Sequence, residues 1–572
     1  MSNSSTLSLS QGHIGKEWFA THLAARLQDF FFESSPWQKR LWEAGTLSTL
    51  KELLDASFWN SRNVLSQHAV GWLAKELERI VGLDRGIGGR ETKKKFTTEL
   101  ATGVPYESRH WRALEQLITQ AERRYLNLWL TAVDSSSPPG AERTARAIAA
   151  LLLDVGFSMP YLHSWIGRHI SVGSSVQELF VDAELLRTQK ITTFDVVIPF
   201  NKMPNPETAQ AHTNWLVPSE IRHWLQDSDP SVRSGVRYMG GFRYEILAMD
   251  PYAASRIAAG IVDRIIARAS YAPGYSKLAP CEAVWIRASG AKDAKRYSLS
   301  KPHRGTYVRS LLAERKVHAV GVASTSLDDA LELAASLNNS SSAGPAIASG
   351  WSALEALLFS PGDPQDAKDG RGVVVAARAA TLAACSWPRA ELTSLAHAHN
   401  KKSTKPSIAG HFALALTPTQ KLVQEGKENS VLAENLESAV TNQQRCELVL
   451  EHFRSGQMLH LAGASDAAAQ ERVLSVVQNG SATLSEVRIQ IEHAFRRMYR
   501  NRNMVVHGGA ATAQTLEVAL RTSAPLVGAV LDRIAHAQLV DGIEPLNLAA
   551  RGEISISSMH LAEAQTLSDL LE

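Results

Sequence analysis

The sequence predicts a mainly α protein with a smaller α/β unit in its middle, on three observations. Apolar residues recur at helical period through the first 170 residues and again from 345 onward. Between these stretches, short runs rich in β-branched and aromatic residues mark strands. At 572 residues the chain outgrows one hydrophobic core, so about two to four domains are expected. Its 44% apolar and 20% charged residues are an ordinary globular balance.

Residues 1–170 read as mostly helical and rich in tryptophan: Trp18, Trp37, Trp42, Trp59, Trp72, Trp111, Trp129 and Trp165. Leu65, Val70, Trp72, Leu73, Leu77 and Ile80 recur near helical period and define one helix. The tryptophan rings are expected to fill cores between helices rather than to form a base-stacking platform. Asp84–Lys95 is glycine-rich and basic but lacks the Gly-Lys-Ser/Thr ending of a phosphate loop, so it reads as a mobile loop. Ser135–Gly140 breaks the helical pattern.

The α/β unit is expected over 171–330. Val176–Val181, Thr193–Phe200, Phe242–Ala248 and Ala283–Ile286 read as strands. Asp250-Pro251 opens a helix through Ala253, Ile257, Ile261, Ile265 and Ile266, with an acidic cap and a proline in the first turn. No paired carboxylates or clustered histidines argue for an active site there. Helical patterns return near 349–359, 372–398, 430–455, 482–507 and 512–538, separated by polar loops at Ser360–Pro364 and Asn400–Pro406. Residues 546–572 are a tail too weakly patterned to assign.

Composition also excludes. A net charge of +3 means that any nucleic-acid affinity comes from local patches. Cys281, Cys385 and Cys446 are far apart and form no CxxC pair, so buried thiols are expected rather than disulfides or a zinc site. His397-Ala398-His399 lacks nearby carboxylate or thiol partners, and neither a metal nor a cofactor is called for. No apolar run reaches about 18 residues, and the N-terminus lacks the pattern of a signal peptide, so a cytoplasmic protein without membrane contact is expected.

The chemistry concentrates near the C-terminus, in Tyr499-Arg500-Asn501-Arg502-Asn503-Met504-Val505-Val506-His507-Gly508-Gly509. RNA cleavage without a metal needs a histidine to move protons on the 2′-hydroxyl and an arginine to hold the scissile phosphate, and an amide can orient either. Spacing alone is weak, because Arg62/His68, Arg296/His303, Arg445/His452, Arg454/His460 and Arg488/His493 imitate it. Three additions single out Arg502/His507: the amide of Asn503, the glycine pair after His507, and an upstream segment, Gly350-Trp351-Ser352-Ala353-Leu354-Glu355-Ala356-Leu357-Leu358.

Arg502-Asn503-x-x-x-His507 resembles the RNase motif of HEPN domains, and the Trp-x-Ala-Leu-Glu core of the upstream segment is similar to the first HEPN helix. The surroundings look most like the ApeA-like branch. The resemblance covers about residues 345–545 and leaves the first 340 unexplained. It implies a C-terminal all-α HEPN helical bundle and a metal-independent endoribonuclease. It further implies an RNA substrate, a homodimer formed through the HEPN domain, and a toxin role in antiviral abortive infection. The N-terminal region would then be a sensor or regulator, with a phage-derived activator as its partner. The alternative is a non-catalytic HEPN module for RNA binding or dimerisation. An enzymatic activity of the 171–325 unit ranks last.

On an ideal helix, Val487, Ile491, Ala494, Met498 and Val505 form an apolar stripe. His493, Arg496, Arg500, Asn503 and His507 form a second stripe roughly 80° wide, nearly opposite. That cationic face suits a polyanion, with Arg496 and His493 as RNA-binding residues. Arg502, however, points about 140° away from His507, whereas Arg500 points almost the same way. Either the helix distorts near Asn501, or two chains complete one site, and the ideal-helix geometry favours the second. Arg502 is the first choice and Arg500 its rival as the arginine that stabilises the phosphorane. Asn503 would orient the imidazole, and Glu355 would pair with an arginine of the motif.

Overall fold

The computed structural model describes residues 16–204, 206–226, 238–272, 274, 277–299, 303–321, 325–363, 370–400, 429–457, 459, 461, 463–508, 513–559 and 567–570. It is mainly helical, with one small antiparallel sheet.

Nine helices lead among the described residues: α1 (Lys16–Phe31), α2 (Thr46–Ser61), α3 (Gln67–Leu83), α4 (Arg90–Leu100), α5 (Arg109–Glu122), α6 (Tyr125–Val133), α7 (Ala141–Val155), α8 (Met159–Val172) and α9 (Val176–Thr188). Local signals start them: the hydroxyls of Ser66, Ser108 and Ser158 accept the backbone N–H of Ala69, Trp111 and Tyr161. The stretch after Asp84, expected to be a mobile loop, is instead a packed turn leading into α4. The buried Asp84 carboxylate accepts from the Tyr125 hydroxyl (2.8 Å), the Gly86 N–H (2.7 Å) and the Thr46 hydroxyl. A Cβ at Gly86 would stand 2.5 Å from the Tyr125 ring, so only glycine fits.

Val176–Val181, read as a strand, is also helical. Its apolar run hides a capping box, in which Ser175 accepts from the Glu178 N–H and Glu178 reaches back to the Ser175 N–H. With the helix started there, Leu179, Ala183 and Leu186 share one buried face.

The sheet comprises β1 (Thr192–Lys202), β2 (Trp215–Leu216), β3 (Gly240–Ala248), β4 (Ala279–Pro280), β5 (Ala283–Ala288) and β6 (Lys295–Ser298), in the order β2-β3-β1-β5-β6, with β4 also on β1. Every pair is antiparallel. Short helices α10 (Pro206–Gln210) and α11 (Pro218–Trp224) flank β2, and α12 (Pro251–Ser270) covers one face. As expected, Asp250 caps α12 through the Ala253 N–H. Ala254, Ala258 and Val262 of α12 pack with Val196, Ile198 and Ile246.

A short turn, α13 (Ser310–Ala313), leads into the C-terminal helices: α14 (Thr325–Asn339), α15 (Ala343–Leu358), α16 (Arg371–Asn400), α17 (Asn429–Ser438), α18 (Asn442–Arg454), α19 (Ala464–Asn503), α20 (Ala513–His536) and α21 (Pro545–Ser558). α19 is 40 residues long and kinks at Asn479 (φ −141°, ψ 52°), so it begins well before the expected 482. The tail stretch left unassigned contributes α21, which packs on α16. The basic run Lys401–Pro406 lies outside the described residues, as does Gly509.

Apolar side chains gather in two large clusters and two small ones. One large cluster joins α14–α21 around the fully buried Trp351, whose ring lies 5.0 Å from that of Tyr499. The other joins α1–α9, and both Met249 and Met504 belong to it. The small clusters line the two faces of the sheet. All three cysteines are free and buried. No helix among the described residues is long and apolar enough to cross a membrane. Trp351→Ala should lower unfolding stability by about 3–5 kcal/mol, read as a reduced midpoint in a urea titration.

Candidate active site at a helical turn

The long helix α19 carries the Arg-Asn-x-x-x-His segment at its C-terminal end. There the backbone widens into a π turn, Met504–Gly508. A π turn closes on the fifth residue rather than the fourth, and such turns recur at functional sites. Arg502 and His507 are five apart, so the widened turn brings them onto one face. Arg502 Nη1 lies 3.4 Å from His507 Nε2 and donates to Asn503 Oδ1 at 3.0 Å. Arg502 Nη2 stands 3.9 Å from Glu355 Oε2 on α15.

Arg502 and His507 therefore meet within one chain, although an ideal α-helix would separate them. Packing on both sides of the histidine accounts for the distortion. Met504 is buried in the core of α1–α9. Gly508 lies against the ring of Trp59 so closely that a Cβ there would come within 2.8 Å. His507 itself is exposed, and the side chains of Arg502 and Glu355 keep 24% and 26% of their surface, so solvent reaches the group. Asn503 engages the arginine rather than the imidazole.

Three members of the second cationic stripe, Arg500, Arg496 and His493, do not face solvent as His507 does. They dock on the N-terminal helices. Arg500, the rival arginine, is buried, and its guanidinium donates to Glu52 Oε1 at 2.7 and 3.1 Å. Arg497 donates to the other oxygen, Oε2, at 2.7 Å. Burial pushes the Glu52 carboxyl up, but the two arginines outweigh it and hold it at about 2. Arg496 pairs with Glu492 and lies 3.9 Å from the centre of the Trp72 ring.

His493 Nδ1 stands 3.2 Å from Glu76 Oε1, the spacing of an ion pair. Burial, with Arg79 and Arg497 beside it, nevertheless holds the imidazole down to about 3, and burial raises the Glu76 carboxyl. With the imidazole neutral, the contact is not an ion pair. Of the residues expected to bind or cleave RNA, the structure thus gathers Arg502, Asn503, His507 and Glu355, and places Arg500, Arg496 and His493 in a separate, mostly buried seam.

Trp59, Met504 and Glu52 were not foreseen in these roles. Glu52 and Trp59 act across sequence separations of more than 400 residues, Met504 joins the distant N-terminal core, and no local pattern carries such contacts. His397 and His399 lie in the last turn of α16, and among the described residues no three His, Cys, Asp or Glu side chains gather to hold a metal ion.

No family model, curated protein or solved structure matches the chain.

Glu52→Ala would leave two guanidinium groups buried without their carboxylate and should cost about 3–5 kcal/mol in chemical denaturation. The pH dependence has a defined sign. Glu52 is held near 2 against an ordinary value of 4.5, so its contribution is complete above pH 4.5. Stability should fall as the pH drops from 4.5 toward 2, and this component of the loss should be absent in Glu52→Gln.

Proposed function

We propose that this chain is a metal-independent endoribonuclease whose catalytic residues are Arg502 and His507. The observation that carries the proposal is the π turn, which sets an arginine N–H 3.4 Å from an exposed histidine Nε2. His507 takes the proton of a 2′-hydroxyl, and the freed oxygen attacks the adjacent phosphorus. The P–O5′ bond breaks, leaving a 2′,3′-cyclic phosphate, and the departing 5′-oxygen takes up the proton that His507 had accepted. Arg502 stabilises the charge that develops on the non-bridging oxygens, a task suited to its planar fork of donors. Asn503 and Glu355 act as positioning residues, holding the guanidinium from two sides.

The resemblance to ApeA-like HEPN proteins supports the wider reading. In it the chain is a cytoplasmic toxin of antiviral abortive infection, paired as a homodimer through the C-terminal bundle. The N-terminal region would respond to a phage-derived activator. The packing of Trp59 and Met504 supports a regulatory part for that region, because both anchor the turn that carries His507.

Purified full-length protein incubated with total RNA should yield new 5′-hydroxyl ends with EDTA present. His507→Ala and Arg502→Ala should each lower cleavage at least ~100-fold while leaving the melting temperature unchanged. Glu355→Gln should lower it about tenfold, through kcat rather than KM. Cleavage that survives both of the first two substitutions would sink the assignment. RNA binding without cleavage in every preparation would instead identify a non-catalytic HEPN module.

A further inference from the structure

A cavity of about 590 Å³ lies between the N-terminal helices and the C-terminal bundle, walled by α3, α6 and α7 on one side and α16 and α19 on the other. Its size falls within the roughly 300–1,000 Å³ typical of small-molecule sites. Trp129, Trp387 and Ile80 line it together with Arg79, Arg143 and Arg472. It is separate from Arg502 and His507, neither of which borders it.

The wall holds more buried donors than its own acceptors satisfy. Arg79 Nη1 pairs with Glu486 at 2.9 Å, but Arg79 Nε is buried without an acceptor. Arg472 Nε pairs with Glu391 at 2.7 Å, whereas its buried Nη1 stands 3.7 Å from Glu142, beyond hydrogen-bond reach. The indole N–H of Trp387, a side chain only 3% exposed, also lacks an acceptor. Among the described residues, no buried side-chain oxygen of this wall is left unpaired in the same way. Buried polar groups are ordinarily satisfied, so orphaned N–H groups around an open volume call for an acceptor-rich occupant. Arg143 adds an exposed cation at the rim that joins none of the wall's ion pairs with Glu43, Glu142 and Glu486.

From this geometry we infer that the cavity is a binding site for a small anion bearing a planar ring, with a nucleoside monophosphate as the class that fits. Its phosphate oxygens meet the guanidinium donors of Arg79, Arg143 and Arg472, which match phosphate geometry from both walls. Its ring lies among Trp129, Trp387 and Ile80, where aromatic contact is tolerant of base identity. The inference stands without the ribonuclease reading, since no cleavage step enters it.

The test uses full-length protein and a panel of AMP, CMP, GMP and UMP, with inorganic phosphate as the ringless comparison, followed by calorimetric titration and thermal shift. At least one nucleotide should bind with a micromolar Kd and raise the melting temperature by several degrees, while phosphate alone does neither. Arg143→Glu should weaken that binding at least tenfold. Ala482→Trp, which places a ring at an exposed position of the wall, should abolish it. His507→Ala should leave it unchanged. Circular dichroism checks that the wall variants fold, and if one does not, the other decides. The inference is overturned by absence of binding at millimolar nucleotide, by equal binding of inorganic phosphate, by affinity unchanged in the folded wall variants, or by loss of binding in His507→Ala.

Discussion

The architecture depends on one buried carboxylate. Glu52, on α2, receives both Arg497 and Arg500 from the helix that ends in the candidate site. A lone charge in that position would be very costly, but with two guanidinium groups on its two oxygens the carboxylate is well satisfied. The cluster has no register freedom: sliding α19 along α2 by one turn would break both contacts at once. Around it a polar seam continues through Lys39–Asp466, Arg79–Glu486 and Arg521–Asp154, at 2.6–3.1 Å. Such a seam contributes orientation more than net stability, because desolvation offsets most of the attraction between the charges.

Orientation is what the end of α19 requires. Once the helix is held in register, Met504 enters the N-terminal core and Gly508 meets Trp59, and the backbone between them widens by one residue into a π turn. That one residue turns a 140° separation into a contact between Arg502 and His507. Docking, helix distortion and the geometry of the site are therefore one connected consequence of tertiary packing. Local strain at such turns is commonly maintained by the structure around it.

Much of the architecture was legible in the chain. The Asp250-Pro251 start of α12 and the strands at 193–200, 242–248 and 283–286 follow from rules that act over four to eight residues. Val176–Val181 was misread because an apolar run shows no clear period, and the deciding signal was the Ser175/Glu178 capping box just before it. The turn after Asp84 looked mobile because its glycines are visible in sequence, whereas the Tyr125 hydroxyl that pins it lies 41 residues away.

For the candidate site, the sequence by itself determined which side chains are available: an arginine, an amide and a histidine near a helix end, with a glutamate on an upstream helix. These follow from residue identity and short spacing, which tertiary context does not change. Only the tertiary structure decided which arginine meets the histidine. Arg500 and Arg502 are two residues apart, and an ideal helix favours Arg500. Glu52, 448 residues earlier, buries Arg500, while Trp59 and Met504 pack about the turn that delivers Arg502 to His507. A choice that depends on buried charge and close packing between distant segments has no local signature, because the energies involved arise only once those segments have met.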